Sequence, residues 1–279
     1  MNHACLIGLR AVRYFNLAQA DYSRSLERIA SGKRIIRAAD DPAGLAISER
    51  MRAQIRGLKQ ASRNAQDGIS LLQVADGALN ETHAILQRLR ELAVYAGNGT
   101  LSPADRAALQ TEFTELVKAI DDIGNYTNFN TIPLLTGERN EQNPIILQIG
   151  ANSGQNTDIA INDMRGAALG LYDEEGSILS IMTPEDADAV LEKIDHAITK
   201  VSTQRSYIGA KVKRLEHTIN NLETTAINLA DAESRIRDVD IAAEIIQMVQ
   251  AQIRMQAALA MVAQANMSQQ LILQLLLPK

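Results

Sequence analysis

Apolar residues recur along this chain with helical spacing, and the longest run is the clearest. Positions 187, 191, 194, 198, 201, 205, 208, 212, 215, 219, 222, 226, 229, 233 and 236 keep an unbroken 4-3 alternation. All are apolar except Arg205 and Glu233. Such a stripe predicts a long coiled-coil-type helix, which needs equally long partners. Ile47, Met51, Ile55, Leu58, Ala65, Ile69, Leu72, Leu79, Leu86, Leu89 and Ala93 supply one. Leu109, Phe113, Leu116, Ile120 and Ile123 supply a shorter one.

Helix starts are marked by proline. Asp41-Pro42, Ser102-Pro103-Ala104-Asp105 and Thr183-Pro184-Glu185-Asp186 each place a capping side chain before Pro. Proline suits the first helical position because its missing N–H would have no intrahelical partner. Gly97-Asn98-Gly99 predicts a C-cap and turn between the second and third helices. Gly32 predicts a stop after a first helix over residues 3–30.

The middle differs. Residues 131–180 hold Gly137, Gly150, Gly154, Gly166, Gly170 and Gly176 with Pro133 and Pro144. Pro144–Gly150 and Asp158–Asn162 predict short strands, with the polar Ala151–Asn156 as a hairpin between them.

The two ends carry more apolar surface than one partner can cover. Leu6, Leu9, Val12, Phe15, Leu17, Leu26 and Ile29 line the first helix. Residues 236–277 contain neither Gly nor Pro. Ile236, Val239, Ile246, Val249 and Ile253 form one face there, and Ile241, Ile245, Met248, Met255, Leu259 and Val262 a second. The Ala-rich run 257–265 lets neighbouring helices approach closely. A helix with two apolar faces is sandwiched or surrounded, so the ends predict self-association. Leu6, Leu9, Val12, Phe15, Ile241, Ile245, Val249, Ile253, Leu259 and Val262 are the candidate self-assembly residues.

Composition narrows the function. The 279 residues carry a net charge of −5 and 3% aromatic residues with no Trp. That acidity argues against a nucleic-acid partner, and an Ala/Leu/Ile/Val core suits helix packing. Cys5 stands alone and reads as a small apolar residue. No cleavable signal is expected, since Arg10 and Arg13 interrupt the leader. The uncharged 255–278 stretch is broken by Gln256, Gln264, Asn266, Ser268, Gln269, Gln270 and Gln274, so no membrane insertion is expected.

Catalytic and metal chemistry find no constellation. His3, His83, His196 and His217 belong to no zinc motif. Asp195-His196 and Glu216-His217 are adjacent on helices and point about 100° apart. Ser31-Gly32-Lys33 lacks the upstream Gly of a phosphate loop, with Glu27 at that position. Asp40-Asp41 before Pro42 reads as capping. The expectation is no enzyme, no cofactor and no metal.

Several ordered words then carry a resemblance. They are Ser31-Gly-Lys-Arg-Ile35, Ala38-Ala-Asp-Asp-Pro-Ala-Gly-Leu-Ala-Ile-Ser48, Ala61-Ser-Arg-Asn-Ala-Gln-Asp-Gly-Ile-Ser70, Ala78–Thr82, Leu86–Ala93, Ile149–Asn152, Ala232–Asp240 and Ala263–Asn266. Together they resemble bacterial flagellin, over roughly 1–140 and 184–277. The resemblance implies a mainly α fold: a long antiparallel helical coiled-coil rod with paired terminal helices and a small central β-hairpin region. It divides the chain into 1–40 and 236–279 as the two halves of an inner coiled coil. It makes 41–130 and 183–235 the helices of the rod and 131–182 its β-rich region, with no large outer domain.

The implied function is a structural subunit secreted through the flagellar export apparatus, with a secretion chaperone. It polymerises with itself into an extracellular filament for motility, beside cap and hook-associated proteins. A host Toll-like receptor is a further implied partner, with Gln87, Arg88, Leu92 and Glu112 as candidate contacts. Departures from the family pattern are Cys5, Leu6, Ile7 and Phe15 where Asn is usual nearby, Ile36 for Asn, and the Leu-Leu-Leu-Pro-Lys end. They leave a hook–filament junction protein or a minor flagellin as alternatives. A coiled-coil adaptor is a third, which gives no reason for the two-faced ends.

Overall fold

The structure is a computed structural model. It describes the backbone of residues 3–173 and 175–276, and the side chains of 6, 8–173 and 175–267. The expectations for Cys5, Ile7 and the end at 277–279 lie outside these residues. The elements in order are α1 (His3–Ser31), α2 (Pro42–Ala96), α3 (Pro103–Tyr126), β1 (Asn128–Phe129), β2 (Ile132–Pro133), β3 (Ile145–Gln148), β4 (Asn156–Ile159), α4 (Gly166–Leu169), α5 (Pro184–Arg237) and α6 (Ile241–Leu276). Two compact units result: residues 55–226, and residues 1–54 with 227–279.

In the 55–226 unit, α2 and α5 run antiparallel, as the Arg90–Asp195 and Arg205–Asp76 ion pairs at 2.8 and 2.9 Å require. Ala65, Leu72, Leu79, Leu86 and Ala93 repeat every seventh residue and are fully buried. Phe113, Val117 and Ile120 of α3 fill the core from one side. Leu134, Leu135, Ile159 and Ile161 close it from the middle segment.

The inner line of α5 departs from the expected stripe. Ala187, Val190, Ile194, Ala197, Val201, Gln204 and Ile208 are buried, whereas Leu191, Ile198 and Arg205 flank them. Arg205 is therefore not a flaw in the seam. It sits beside it, pairing with Asp76, while Gln204 is held inside by donating to the Ala160 carbonyl at 3.2 Å.

The helix starts follow capping chemistry. Ser102 accepts from Asp105 N–H at 3.2 Å and the Asp105 carboxylate accepts from Ser102 N–H at 3.1 Å. The Ser102 hydroxyl also donates to the Asp105 carboxylate at 2.6 Å, and this bond first and the Ser102 N–H second hold that carboxyl below the usual carboxylate range. Thr183 caps α5 through Asp186 N–H at 3.1 Å. At the end of α2, Gly97 N–H donates to Ala93 C=O at 3.0 Å. Gly97 is not among the residues with positive φ, so that turn forms without the left-handed cap its sequence suggested.

Two antiparallel hairpins occupy the middle. β1 and β2 are joined by Asn130 and Thr131, both at positive φ (48° and 66°). That is the twist a two-residue hairpin needs, though Thr is an uncommon choice for it. β3 pairs with β4 in the register Ile145↔Ile159 to Gln148↔Asn156. The second strand thus begins two residues before the expected 158, because the turn closes at 149–155 through Ile149 N–H donating to Gln155 C=O at 3.0 Å. The hairpin seats on α2 where Gly57 and Gly68 leave room. A Cβ on Gly57 would stand 2.8 Å from Ala151 Cβ, and one on Gly68 would collide with Leu147. Asn64 Nδ2 secures the seat by donating to Gln148 C=O at 3.0 Å.

Asp121 of α3 holds the following loop. It accepts from Gly166 N–H at 2.8 Å and from the Tyr172 hydroxyl. Burial and then this bond push the Tyr172 phenol up to about 12. Gln110 does similar work at 179–181, donating to Leu179 C=O at 3.1 Å and accepting from Ile181 N–H at 2.7 Å.

Candidate assembly surface

In the unit formed by 1–54 and 227–279, both segments leave their helices at one level. Gly32, at φ 68°, ends α1. Arg34 N–H donates to Arg237 C=O at 2.7 Å, and Val239 N–H to Gly32 C=O at 3.1 Å. The expected continuous helix over 236–277 is therefore interrupted: Val239 lies in the break, and Asp240 restarts the chain as cap of α6 through Ala242 N–H at 3.0 Å. Ile35 plugs the joint at 1% exposure. Charges surround it. Arg237 pairs with Glu49 at 2.5 Å and Arg52 with Glu233 at 2.9 Å. Asp40 accepts from Arg37 and Ile36 N–H at 3.0 and 3.2 Å, which holds its carboxyl below the usual range.

Beyond the joint, α1 and α6 pair antiparallel. Arg28 meets Glu244 at 3.7 Å, Asp21 meets Arg254 at 3.9 Å, and a Cβ on Gly8 would stand 3.7 Å from Ala265 Cβ. The seam between them is made of small residues. Ala11, Ala18 and Ser25 of α1 and Ala251, Ala258 and Ala265 of α6 are buried, each set spaced by seven. Phe15, Tyr22 and Ile29 alternate with the first set, half-buried, and Met248, Met255 and Val262 with the second. The register set by the three contacts brings Phe15 level with Ala258, Tyr22 with Ala251, Met255 with Ala18 and Met248 with Ser25. Large therefore faces small at these four levels, the condition for dense packing at close approach, while Ile29 lies level with Glu244.

The large aliphatic residues point elsewhere. Of the ten candidate assembly residues, Leu6, Leu9, Val12, Ile241, Ile245, Val249, Ile253 and Leu259 are exposed, Ile253 by 60% and Leu9 by 59%. Phe15 and Val262 instead belong partly to the seam. The periodicity reading missed Tyr14, Met261 and Met267, which share this exposed surface, and Ile246, which it placed on an apolar face but left out of the ten, is exposed there too. Helical spacing places Ile245, Val249, Ile253 and Leu259 on one side of α6, turned away from the Ala251–Ala258–Ala265 line, while Ile241 continues the Met248–Met255–Val262 line at the start of the helix. The signal available in the sequence was the alanine repeat at 251, 258 and 265, which marks the seam by residue size.

The second candidate surface lies on α2 and α3. Gln87 and Arg88 are exposed, Gln87 bonded to His83 at 3.0 Å. Arg88 bridges Glu112 and Glu91 at 2.8 and 3.0 Å, and these bonds raise its pKa. Leu92 does not belong with them. It is 3% exposed within the apolar core, since the α2 seam continues through Leu89, Leu92 and Ala93. Among the described residues no group of three or more His, Cys, Asp or Glu could hold a metal ion, and no helix is long and apolar enough to cross a membrane.

Comparison with known proteins agrees with the ordered words. Residues 6–140 match the bacterial flagellin N-terminal helical region, and residues 191–276 the bacterial flagellin C-terminal helical region. The chain is 48% identical to a flagellin of Bacillus subtilis strain 168, across 91% of this chain and 92% of that one. It is 47% identical to a flagellin of Halalkalibacterium halodurans, across 99% of each. A flagellar filament 33 kDa core protein of Treponema phagedenis is 44% identical across 99% and 98%. In structure the chain resembles Bacillus cereus flagellin, with a TM-score of 0.50 at 32% identity, covering 61% of this chain and 94% of that one.

Proposed function

The chain belongs to the bacterial flagellin family, and on that premise we propose that it is a structural subunit of the flagellar filament, which polymerises with its own copies through the outer surface of the α1–α6 pair. The observation that carries this is the inversion of residue size: alanine and serine inside the pair, leucine, isoleucine and valine outside. An aliphatic side chain moved from half-exposed to buried contributes about 1 kcal/mol. The exposed set on one subunit thus amounts to roughly ten kcal/mol in sum, comparable to the roughly 4–15 kcal/mol cost of association. Neighbours on more than one side make the balance favourable, which is what a filament supplies and a single dimer does not.

In this reading 1–40 and 236–279 are the two halves of an inner coiled coil, 41–130 and 183–235 are the helices of a rod, and 131–182 is its β-rich region. The subunit is exported by the flagellar export apparatus with a secretion chaperone and meets cap and hook-associated proteins at the growing end. Gln87, Arg88 and Glu112 offer a host Toll-like receptor a polar surface, without Leu92.

The experiment is direct. Purified chain, seeded with filament fragments or treated with precipitating salt, is imaged by electron microscopy. Long filaments are expected from the intact chain. Removal of 1–40 or of 240–279 should abolish them while the 55–226 unit stays helical. Val249→Glu should do the same, because burying an unpaired carboxylate is costly. Normal filaments from any of these variants would refute the role assigned to the terminal helices.

A further inference from the structure

The α1–α6 seam repeats every seventh residue on both helices, and that regularity leaves it ambiguous. If α6 slides by one heptad, Phe15 meets Ala265 or Ala251 according to direction and Met255 meets Ser25 or Ala11. Tyr22 meets Ala258 in one direction and Glu244 in the other, so apart from that last pair large still meets small. The apolar seam can therefore demand a heptad-spaced register without choosing among the heptads.

The charges can choose. In its 36 residues α6 carries two charged side chains, Glu244 and Arg254. Each meets an opposite charge of α1: Arg28 at 3.7 Å and Asp21 at 3.9 Å. Asp21 and Arg28 are themselves seven residues apart, one heptad. A slip of one heptad in one direction would bring Glu244 level with Asp21. The opposite slip would bring Arg254 level with Arg28. Both slips replace attraction with repulsion.

We propose that Glu244–Arg28 and Arg254–Asp21 form a register code, which selects one antiparallel alignment of the terminal helices from the several that the alanine seam accepts. Three further observations support it. The Glu244 side chain is 6% exposed and that of Arg28 22%, so an error at this pair is not screened by solvent. Arg28 Nε and Glu244 Oε1 are buried and make no hydrogen bond, so the compensation of these two atoms rests on the charge pairing of their groups. Arg28 also lies in the last turn of α1 and Glu244 in the first turn of α6, the ends where each charge suits its helix dipole. The joint at 32–35 and 237–239 also restrains sliding, and the test separates its contribution. The inference concerns how the pair aligns and stands apart from whether the pair then builds a filament.

Cross-linking reads the register. In the full chain with Cys5→Ser, Gly8→Cys and Ala265→Cys stand at a Cβ separation near 3.7 Å, inside the roughly 3.5–4.5 Å window of a disulfide. Gly8→Cys with Ala258→Cys lies one heptad away, about 10 Å along the axis, and forms only after a slip. With native charges the 8/265 disulfide should form under mild oxidation, mapped by mass spectrometry. Glu244→Arg sets Arg against Arg28 and, one heptad over, Arg against Asp21. It should lower the 8/265 yield about tenfold or more, and the appearance of 8/258 would identify the slipped state. Arg28→Glu combined with Glu244→Arg should restore 8/265. Glu244→Gln, which is gentler on folding, should give an intermediate yield.

An undiminished 8/265 yield in Glu244→Arg would overturn the proposal and leave the joint alone responsible. A loss that the double reversal does not recover would overturn it too. Filament formation, imaged on unoxidised samples carrying the native cysteine, tests the assembly reading separately. Correct cross-linking in a chain that makes no filaments would sink that reading and leave the register code standing.

Discussion

Two antiparallel helix pairs in this protein obey the same heptad spacing and use it to opposite ends. Where α2 and α5 pass through the 55–226 unit, the seam holds Leu72, Leu79, Leu86, Ile194 and Ile208, each at most 1% exposed. Where α1 and α6 pair, the seam holds Ala11, Ala18, Ala251 and Ala258, and the leucines and isoleucines face outward. Spacing alone does not separate the two cases. The size of the residue at the buried position does. A seam of large residues completes a core within one subunit. A seam of small residues brings two backbones together and turns the apolar bulk toward another molecule.

The largest effect that would break this comparison is at Phe113. Phe113→Ala should destabilise the 55–226 unit by about 3–5 kcal/mol, read as a lowered urea midpoint. Leu259→Ala, at an exposed position, should change the same midpoint by within about 0.5 kcal/mol. It should instead raise the concentration at which filaments appear. Equal effects of the two on the isolated subunit would remove the distinction.

Ala251→Leu inserts bulk into the small-residue seam and should cost the α1–α6 pair about 1–3 kcal/mol. Ala260→Leu, on the exposed side, should cost almost nothing. Amide hydrogen exchange along α1 is the readout, with faster exchange expected for the first variant alone.

A pH test isolates the loop clamp of the completed unit. The Tyr172 phenol is raised from 10.0 to about 12, first by burial and then by its bond to Asp121. A folded-state pKa above the unfolded one means stability that is full below pH 10 and lost as pH rises toward 12. Wild-type urea midpoints should fall across that window more steeply than those of Tyr172→Phe. Parallel curves would show that the clamp contributes nothing.

The smallest effect is a gain. Thr131 holds a left-handed conformation at φ 66°, so Thr131→Gly should stabilise the β1–β2 hairpin by about 1 kcal/mol. A thermal midpoint unchanged or lowered would contradict the strain argument.

Much of the fold was legible because its punctuation is local. Pro42, Pro103 and Pro184 open helices in the structure, and Gly32 closes one, since each acts through its own backbone and its nearest neighbours. What the sequence obscured depended on partners distant in the chain. Leu191, Ile198 and Arg205 lie beside the α5 seam, because the middle segment claims Gln204 through Ala160. The interruption at Asp238–Asp240 is fixed by backbone bonds to Gly32 and Arg34, about two hundred residues away, and Val239 gives no local sign of it. Leu92 matched a surface motif by its neighbours in sequence, yet it belongs to the core by its place on the helix. On the candidate assembly surface, hydrophobicity singled out residues that the structure leaves exposed but could not say which line is the seam. Alanine and serine carry that information, and they contribute little to any apolar pattern.

The outward face of α6 has one more consequence, in its temperature dependence. Ile245, Val249, Ile253 and Leu259 offer an approaching copy aliphatic surface with few charges among them. Burial of such surface lowers the heat capacity and draws its strength near 25 °C from the entropy of released water. Contacts of this kind weaken as the solution is cooled. Assembly through this face should therefore be endothermic in the cold, and its critical concentration should rise as temperature falls, the reverse of a polymer held by ion pairs or hydrogen bonds.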